Sequence, residues 1–345
     1  MSRHLPVDDV LSELLAALDA RTAAVLVAPP GAGKTTRVPP ALLGADWAAG
    51  KRILMLEPRR VAARAAARRM AAELGEEVGQ TVGYRVRMDA KVGPRTRIEV
   101  VTEGVFLRMI QDDPGLDGVG AVIFDEIHER TLDGDLALAL TLDARAALCP
   151  EVRVIAMSAT VDGAAVADLL EDAALIEAEG RAYPVETRYL GRDAARRIEA
   201  QVADAVCKAL SVERGSVLAF LPGQGEIART ARMLEERGLP EDVDLATLMG
   251  TQDARAQDAA IRPAPEGRRK VVLATAVAET SLTIEGVRVV VDSGLSRVPR
   301  YEPATGLTRL ETVRVSRASA DQRRGRGARS RACATACGTR RRRGP

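Results

Sequence analysis

A chain of 345 residues with 46% hydrophobic and 28% charged residues is long and apolar enough for two domains that each bury most of their apolar surface. Its four Cys form no framework of spacings and no apolar run reaches about 18 residues, which argues against a disulfide-stapled secreted protein and a membrane span, and for a reducing, cytoplasmic setting. The formal charge of +2 is unevenly placed: Arg323 to Pro345 contain nine Arg and no acid, so the body is net acidic and any basic surface on it is local.

The opening "MSRHLPVDDVLSELLAALDA" reads as an amphipathic helix carrying Asp8, Asp9, Glu13 and Asp19, which is not the make-up of a signal peptide. Short aliphatic runs then recur between Ala-rich helical segments: "AAVLVAP", "RILMLEP", "RIEVVTEG", "AVIFDE" and "VRVIAMSAT". They are apolar throughout rather than alternating, the mark of parallel strands covered on both faces. After "EGRAYPVETRYLGR" the pattern restarts with "GSVLAFLPG", "VDLATLMG", "RKVVLATA" and "VRVVVDSG". The chain is therefore expected to be α/β, with two successive, mainly parallel sheets joined near residues 180 to 192.

The first strand leads into "PPGAGKTTRVPPALL", a Gly-containing turn that opens a helix at Lys-Thr-Thr. This is the physics of a P-loop. Backbone N–H groups of Pro-less turn residues wrap phosphate oxygens at the positive end of a helix dipole, so Pro30, Gly31, Ala32 and Gly33 shape the cradle ahead of Lys34, Thr35 and Thr36. Lys34 reaches the terminal phosphates and the Thr35 hydroxyl can ligate Mg²⁺. The strict pattern begins with Gly, and Ala28 is a small departure from it. About 90 residues on, "AVIFDEIHER" ends a strand in two carboxylates at the edge where doubly wound sheets bind ligands. Asp125 can hold the metal through water, and Glu126 can orient and deprotonate an attacking water.

Taken together, "GAGKTT", "EPRRVAA", "TEG", "DEIHER", "SAT", "FLPGQGE", "ATAVAETSLTIEG" and "QRRGR" follow the order and approximate spacing of the superfamily 2 helicases of the DEAH type. The longer phrases resemble the bacterial HrpB-type ATP-dependent helicases, over residues 5 to about 326. The resemblance implies two tandem RecA-like P-loop domains, residues 1–182 and 183–326, that close over ATP with Mg²⁺ and a nucleic-acid strand. His128 matches the histidine that links the first domain to the second, and Ser158 and Thr160 match residues coupling nucleotide state to closure. Arg59, Arg60, Thr102, Gly104 and Thr275 match positions that grip a single-stranded backbone, contacts that carry affinity without sequence preference. Ala276 stands where relatives often have Asn. Gln322 and Arg326 match residues acting on the γ-phosphate, where a cation is worth roughly 10³ to 10⁵ in rate, and Arg329 falls on the last such position.

Beyond Arg326 the similarity stops, and residues 327–345 are expected to be an aberrant Arg-rich tail outside the folded domains. Three readings compete for it: an RNA-binding arm through Arg340 to Arg343, a metal site at Cys333 and Cys337 with no His nearby, or a shift of reading frame. The vocabulary of Arg, Ala, Gly and Cys favours the third, as does a chain with 45 Arg against five Lys, the bias of a GC-rich gene. The match of Arg329 is then coincidental. The family's winged-helix, helical and OB-like modules lie past this point, so the expected activity is a 3′ to 5′ helicase motor on single-stranded RNA, weak in processive unwinding. A nucleotide-dependent RNA clamp, an inactive truncated product and an ATPase acting on DNA are the alternatives.

Overall fold

Aliphatic runs without alternation become strands buried on both faces, and the computed structural model shows them stacked into two parallel sheets. It describes residues 4–159, 163–170, 173–179, 185–279, 284, 286–326 and 332–336. Thr160 and Arg329 lie outside the described residues, as do Cys337 and Arg340 to Arg343. The chain divides into two compact units, Met1–Arg181 and Ala182–Pro345. Among the described residues no helix is long and apolar enough to cross a membrane.

In the first unit the strands are β1 (Ala23–Val27), β2 (Arg52–Glu57), β3 (Val82–Val86), β4 (Asp89–Lys91), β5 (Ile98–Thr102), β6 (Val119–Phe124), β7 (Arg153–Ser158) and β8 (Ala174–Glu177). They lie in the order β4-β3-β5-β2-β6-β7-β1-β8, parallel except for the β3–β4 pair. Helices α1 (Leu11–Ala20), α2 (Lys34–Leu42) and α3 (Arg60–Glu73) cover one face. Leu14 and Leu18, one turn apart, anchor α1, and the buried Ala63, Ala66 and Ala67 let α3 lie close to the sheet. On the other face sit α4 (Glu103–Asp112), α5 (Leu132–Ala147) and α6 (Gly163–Leu169). There Phe106 meets Phe124 edge to face, ring centroids 6.3 Å apart.

The second unit holds β9 (Val185–Tyr189), α7 (Ile198–Val212), β10 (Ser216–Phe220), α8 (Gln224–Arg237), β11 (Val243–Leu248), α9 (Ala254–Ile261), β12 (Arg269–Ala274) and β13 (Val287–Asp292). An antiparallel hairpin of β14 (Leu295–Glu302) and β15 (Leu307–Arg314) follows, then α10 (Arg317–Gly325) and β16 (Ala332–Ala336). The sheet order is β11-β12-β10-β13-β16-β9, with every pair parallel, and α7 and α8 pack on one face.

One expectation is corrected here. Part of the Arg-rich tail belongs to the fold, because the backbone of Ala332–Ala336 runs as β16 between β13 and β9, Cys333 opposite Val289 on one side and Glu186 on the other. Ladder hydrogen bonds are made by the backbone, so a strand slot between two open edges is filled whatever the local vocabulary. The packing supports a direct check on the first unit. Phe106→Ala empties a fully buried site and should destabilise that unit by about 3–5 kcal/mol, read as faster hydrogen exchange of β5 and β6 with α7 and β10 unchanged.

Candidate functional site

Parallel strands deliver their carboxyl ends to one edge, and in the first unit that edge carries every motif of interest in a fixed order. Reading across it, Thr102 ends β5, Glu57 ends β2, Asp125 follows β6, Ser158 ends β7 and Ala28 follows β1. The phosphate loop and the Asp-Glu pair are thus separated by one strand, and that strand brings Ser158 between them.

The loop itself is set by two left-handed glycines, Gly31 at φ 86° and Gly33 at φ 98°. At Gly33 a Cβ would also come within 2.7 Å of Leu5 Cδ1, so conformation and space both require glycine. Lys34 is buried at the start of α2, its Nζ donating to the Ala28 carbonyl at 2.7 Å. Its neighbour Thr35 donates from Oγ1 to Asp125 Oδ2 at 2.5 Å, which joins the loop to the acidic strand end.

Asp125 is wholly buried, and burial followed by the adjacent Glu126 charge pushes its carboxyl up to about 6, against the opposing pull of Lys34, Thr35 and Glu57. Glu126 takes φ 52°, a strained left-handed turn for this residue type, and its amide donates to Asp125 Oδ1 at 2.9 Å. That turn leaves Glu126 Oε2 buried without a hydrogen-bond partner. His128 Nδ1 accepts from the Ala159 amide at 3.2 Å, so this nitrogen carries no proton, and burial holds the imidazole below its ordinary range. The 3.5 Å approach of the same nitrogen to Glu126 Oε2 is therefore a contact of neutral imidazole and not an ion pair. Through His128 the "DEIH" turn is bonded to the "SAT" turn within the first unit.

A hydroxyl beside a buried carboxylate is an oxygen donor set that suits a hard cation, and the orphaned Glu126 oxygen faces the same acidic turn. Among the described residues no group of three or more His, Cys, Asp and Glu side chains forms a metal cage. Sparse ligation of this kind is the usual mode for Mg²⁺ bound together with a nucleotide, so the residues fit that ion.

Farther along the edge, Arg60 is exposed at the first position of α3 while Arg59 pairs with Glu129 Oε2 at 3.0 Å. The backbone-grip expectation for Arg59 thus comes with an acidic partner from "DEIHER" that sequence reasoning did not supply. Thr102 precedes α4 and Gly104 lies in its first turn. That turn is fixed to α5 by Thr131, whose hydroxyl donates to Glu103 Oε2 at 2.7 Å and accepts from the Gly134 amide at 3.0 Å. Burial raises the Glu103 carboxyl.

In the second unit Thr275 follows β12, and Gln322 lies on α10 with Arg326 just after it. Arg323, between them, is 1% exposed: it donates to Glu279 Oε2 at 3.1 Å, Asp292 Oδ1 at 2.8 Å and the Leu295 carbonyl at 3.2 Å, and lies 4.9 Å over the Phe220 ring. Arg326 donates from Nε and Nη2 to the Glu279 carbonyl at 2.8 and 2.6 Å. Glu279 and Asp292 were not singled out from sequence. The available signal was a lone acid inside the small, apolar run "ATAVAETS" and another at the end of a buried strand.

Comparison with known proteins bears on the whole chain. Residues 9–169 match the DEAD/DEAH box helicase family, and residues 201–331 match the helicase conserved C-terminal domain. The chain is 53% identical over 325 residues to the ATP-dependent RNA helicase HrpB of Escherichia coli K12, covering 94% of this chain and 40% of that protein. Two crystal structures from E. coli are similar at 51% identity: the DEAH/RHA helicase HrpB, with TM-score 0.90 over 96% of this chain and 42% of that one, and the DExH-box NTPase HrpB, with TM-score 0.82 over 97% and 41%. The chain therefore spans about 40% of the length of these relatives.

The raised Asp125 carboxyl has a consequence for stability. Its folded pKa of about 6 exceeds the ordinary 3.8, so the cost of a buried anion is present above about pH 6 and is relieved as pH falls toward 4. Asp125→Asn should accordingly raise stability at pH 7.5 by roughly 1–3 kcal/mol in the nucleotide-free protein, and the gain should shrink below pH 6. Thermal unfolding of both forms across that range measures it.

Proposed function

Because the chain belongs to the DEAD/DEAH box helicases, we propose that it hydrolyses ATP and uses the energy to move 3′ to 5′ along single-stranded RNA. The observation that carries this is the bond from Thr35 to Asp125, which ties a phosphate loop to a pair of carboxylates at one sheet edge. Backbone N–H groups from Pro30 through Thr36, apart from proline itself, cradle the triphosphate, with Gly31, Ala32 and Gly33 allowing the close approach. Lys34 exchanges its bond with the Ala28 carbonyl for the terminal phosphates. Thr35 and Asp125 would hold Mg²⁺, which when bound offsets charge on the phosphate oxygens.

Glu126 orients the attacking water and takes up its proton, for which an unpartnered buried carboxylate oxygen is suited. His128 holds the Glu126 turn against Ala159, so Ser158 and Thr160 sense the state of the acidic turn. Gln322 and Arg326 of the second unit act on the same triphosphate, Gln322 on the water and Arg326 on developing charge, with Arg329 a further candidate. Arg59, Arg60, Thr102, Gly104 and Thr275 contact the RNA backbone; Arg59 must trade Glu129 for phosphate to do so.

The test is ATP turnover with and without single-stranded RNA, alongside displacement of a duplex carrying a 3′ tail. Glu126→Gln should lower kcat by about 10²-fold or more while ATP binding persists. Unchanged turnover in that variant would refute the assignment. RNA-stimulated turnover without strand displacement would identify a clamp instead of a translocating motor.

A further inference from the structure

We propose that Glu279 is the positioning residue for Arg326, holding it through its main chain while its side chain fixes the helix that carries it. The inference rests on the ATPase reading above. Glu279 is buried at the end of the short turn Ala276–Ala278 that follows β12. Both carboxylate oxygens are taken by α10: Ser319 Oγ donates to Oε1 and Arg323 Nε donates to Oε2 at 3.1 Å. Its carbonyl oxygen accepts both Nε and Nη2 of Arg326.

Ser319, Arg323 and Arg326 are four and three residues apart, so they share one face of α10 and its C-terminal end, and a single residue meets all three. The division of labour follows from charge. Arg323 is buried, and its cation is matched by the carboxylates of Glu279 and Asp292. Arg326 places two donors on the Glu279 carbonyl, which fixes the plane of its guanidinium fork. Arg323 serves as the fulcrum, pinned further by Asp292, the Leu295 carbonyl and the Phe220 ring.

Removing the Glu279 carboxylate takes the charged acceptor from Ser319 Oγ and Arg323 Nε, leaves Arg323 held only by Asp292, the Leu295 carbonyl and the Phe220 ring, and loosens α10 against the turn. The carbonyl then no longer lies at a fixed offset from Arg326, and misplacement by about 1 Å can cost up to about 10²-fold in rate.

The measurement is a double-variant cycle on the full chain, reading kcat and KM for ATP with saturating single-stranded RNA. Glu279→Gln should lower kcat by about tenfold or more and change KM by less than about twofold. In an Arg326→Ala background the same substitution should change kcat by less than about twofold, because the group it acts through is gone. Ser319→Ala, which keeps the Arg323 pair, should lose about two- to fivefold and show the same dependence on Arg326. It decides the question if Glu279→Gln does not unfold cooperatively. Losses that multiply in the double variants overturn this proposal alone. A wild-type chain with no turnover overturns the ATPase reading and this one with it.

Discussion

Asp125 sits where water cannot solvate its charge, yet the chain places Glu126 next to it, and the surroundings are organised around that cost. Thr35 donates to one carboxylate oxygen, the Glu126 amide donates to the other, and the positive charge of Lys34 offsets the anion from the phosphate loop. Lys34 and Thr35 both open α2 and Glu126 adjoins Asp125, so the phosphate loop and the acidic turn, on strands flanking β7, are joined by one electrostatic demand. The strained turn at Glu126 belongs to the same arrangement, since it points an amide at Asp125 and leaves a carboxylate oxygen unpaired. A protein selected for stability alone would have no use for such a site.

The second unit shows the opposite charge in a comparable place. Arg323 is a buried cation whose partners come from β13, the turn after β12 and the backbone at Leu295. It does for α10 what Asp125 does for the phosphate loop, holding the element by making its displacement costly. In both units the residues expected to meet phosphate, Lys34 and Arg326, are bonded to main-chain carbonyls. A carbonyl orients a cation without neutralising it.

Much of this was legible in the sequence because it rests on local pattern. The runs "AAVLV", "AVIF" and "SVLAF" are apolar at every position, and they form fully buried strands. The phosphate loop is recognisable because glycines and Lys-Thr must adjoin for the backbone to wrap phosphate. What escaped depends on partners distant in the chain. Arg59 with Glu129, His128 with the Ala159 amide and Glu279 with α10 are pairings that no spacing rule announces. The hairpin β14–β15 was also missed, because most of its residues are exposed and "LSRVPRYE" offers little apolar alternation. In the tail, composition misled: Ala332–Ala336 pairs on both sides through backbone groups that any residue but proline provides.

The place of β16 also orders events in time. Among the described residues β9 is an edge strand of its sheet and pairs with β16 alone, which follows it by roughly 150 residues. While the chain is being made, β9 leaves the ribosome early and has no neighbour until β16 emerges, although β10 to β13 can already associate. β9 thus stays unattached through most of the synthesis of the second unit, and the edge of β13 stays open from its own completion until β16 arrives, a state that invites pairing with other chains and cleavage. Closure is a single late step in which one short strand satisfies two edges together.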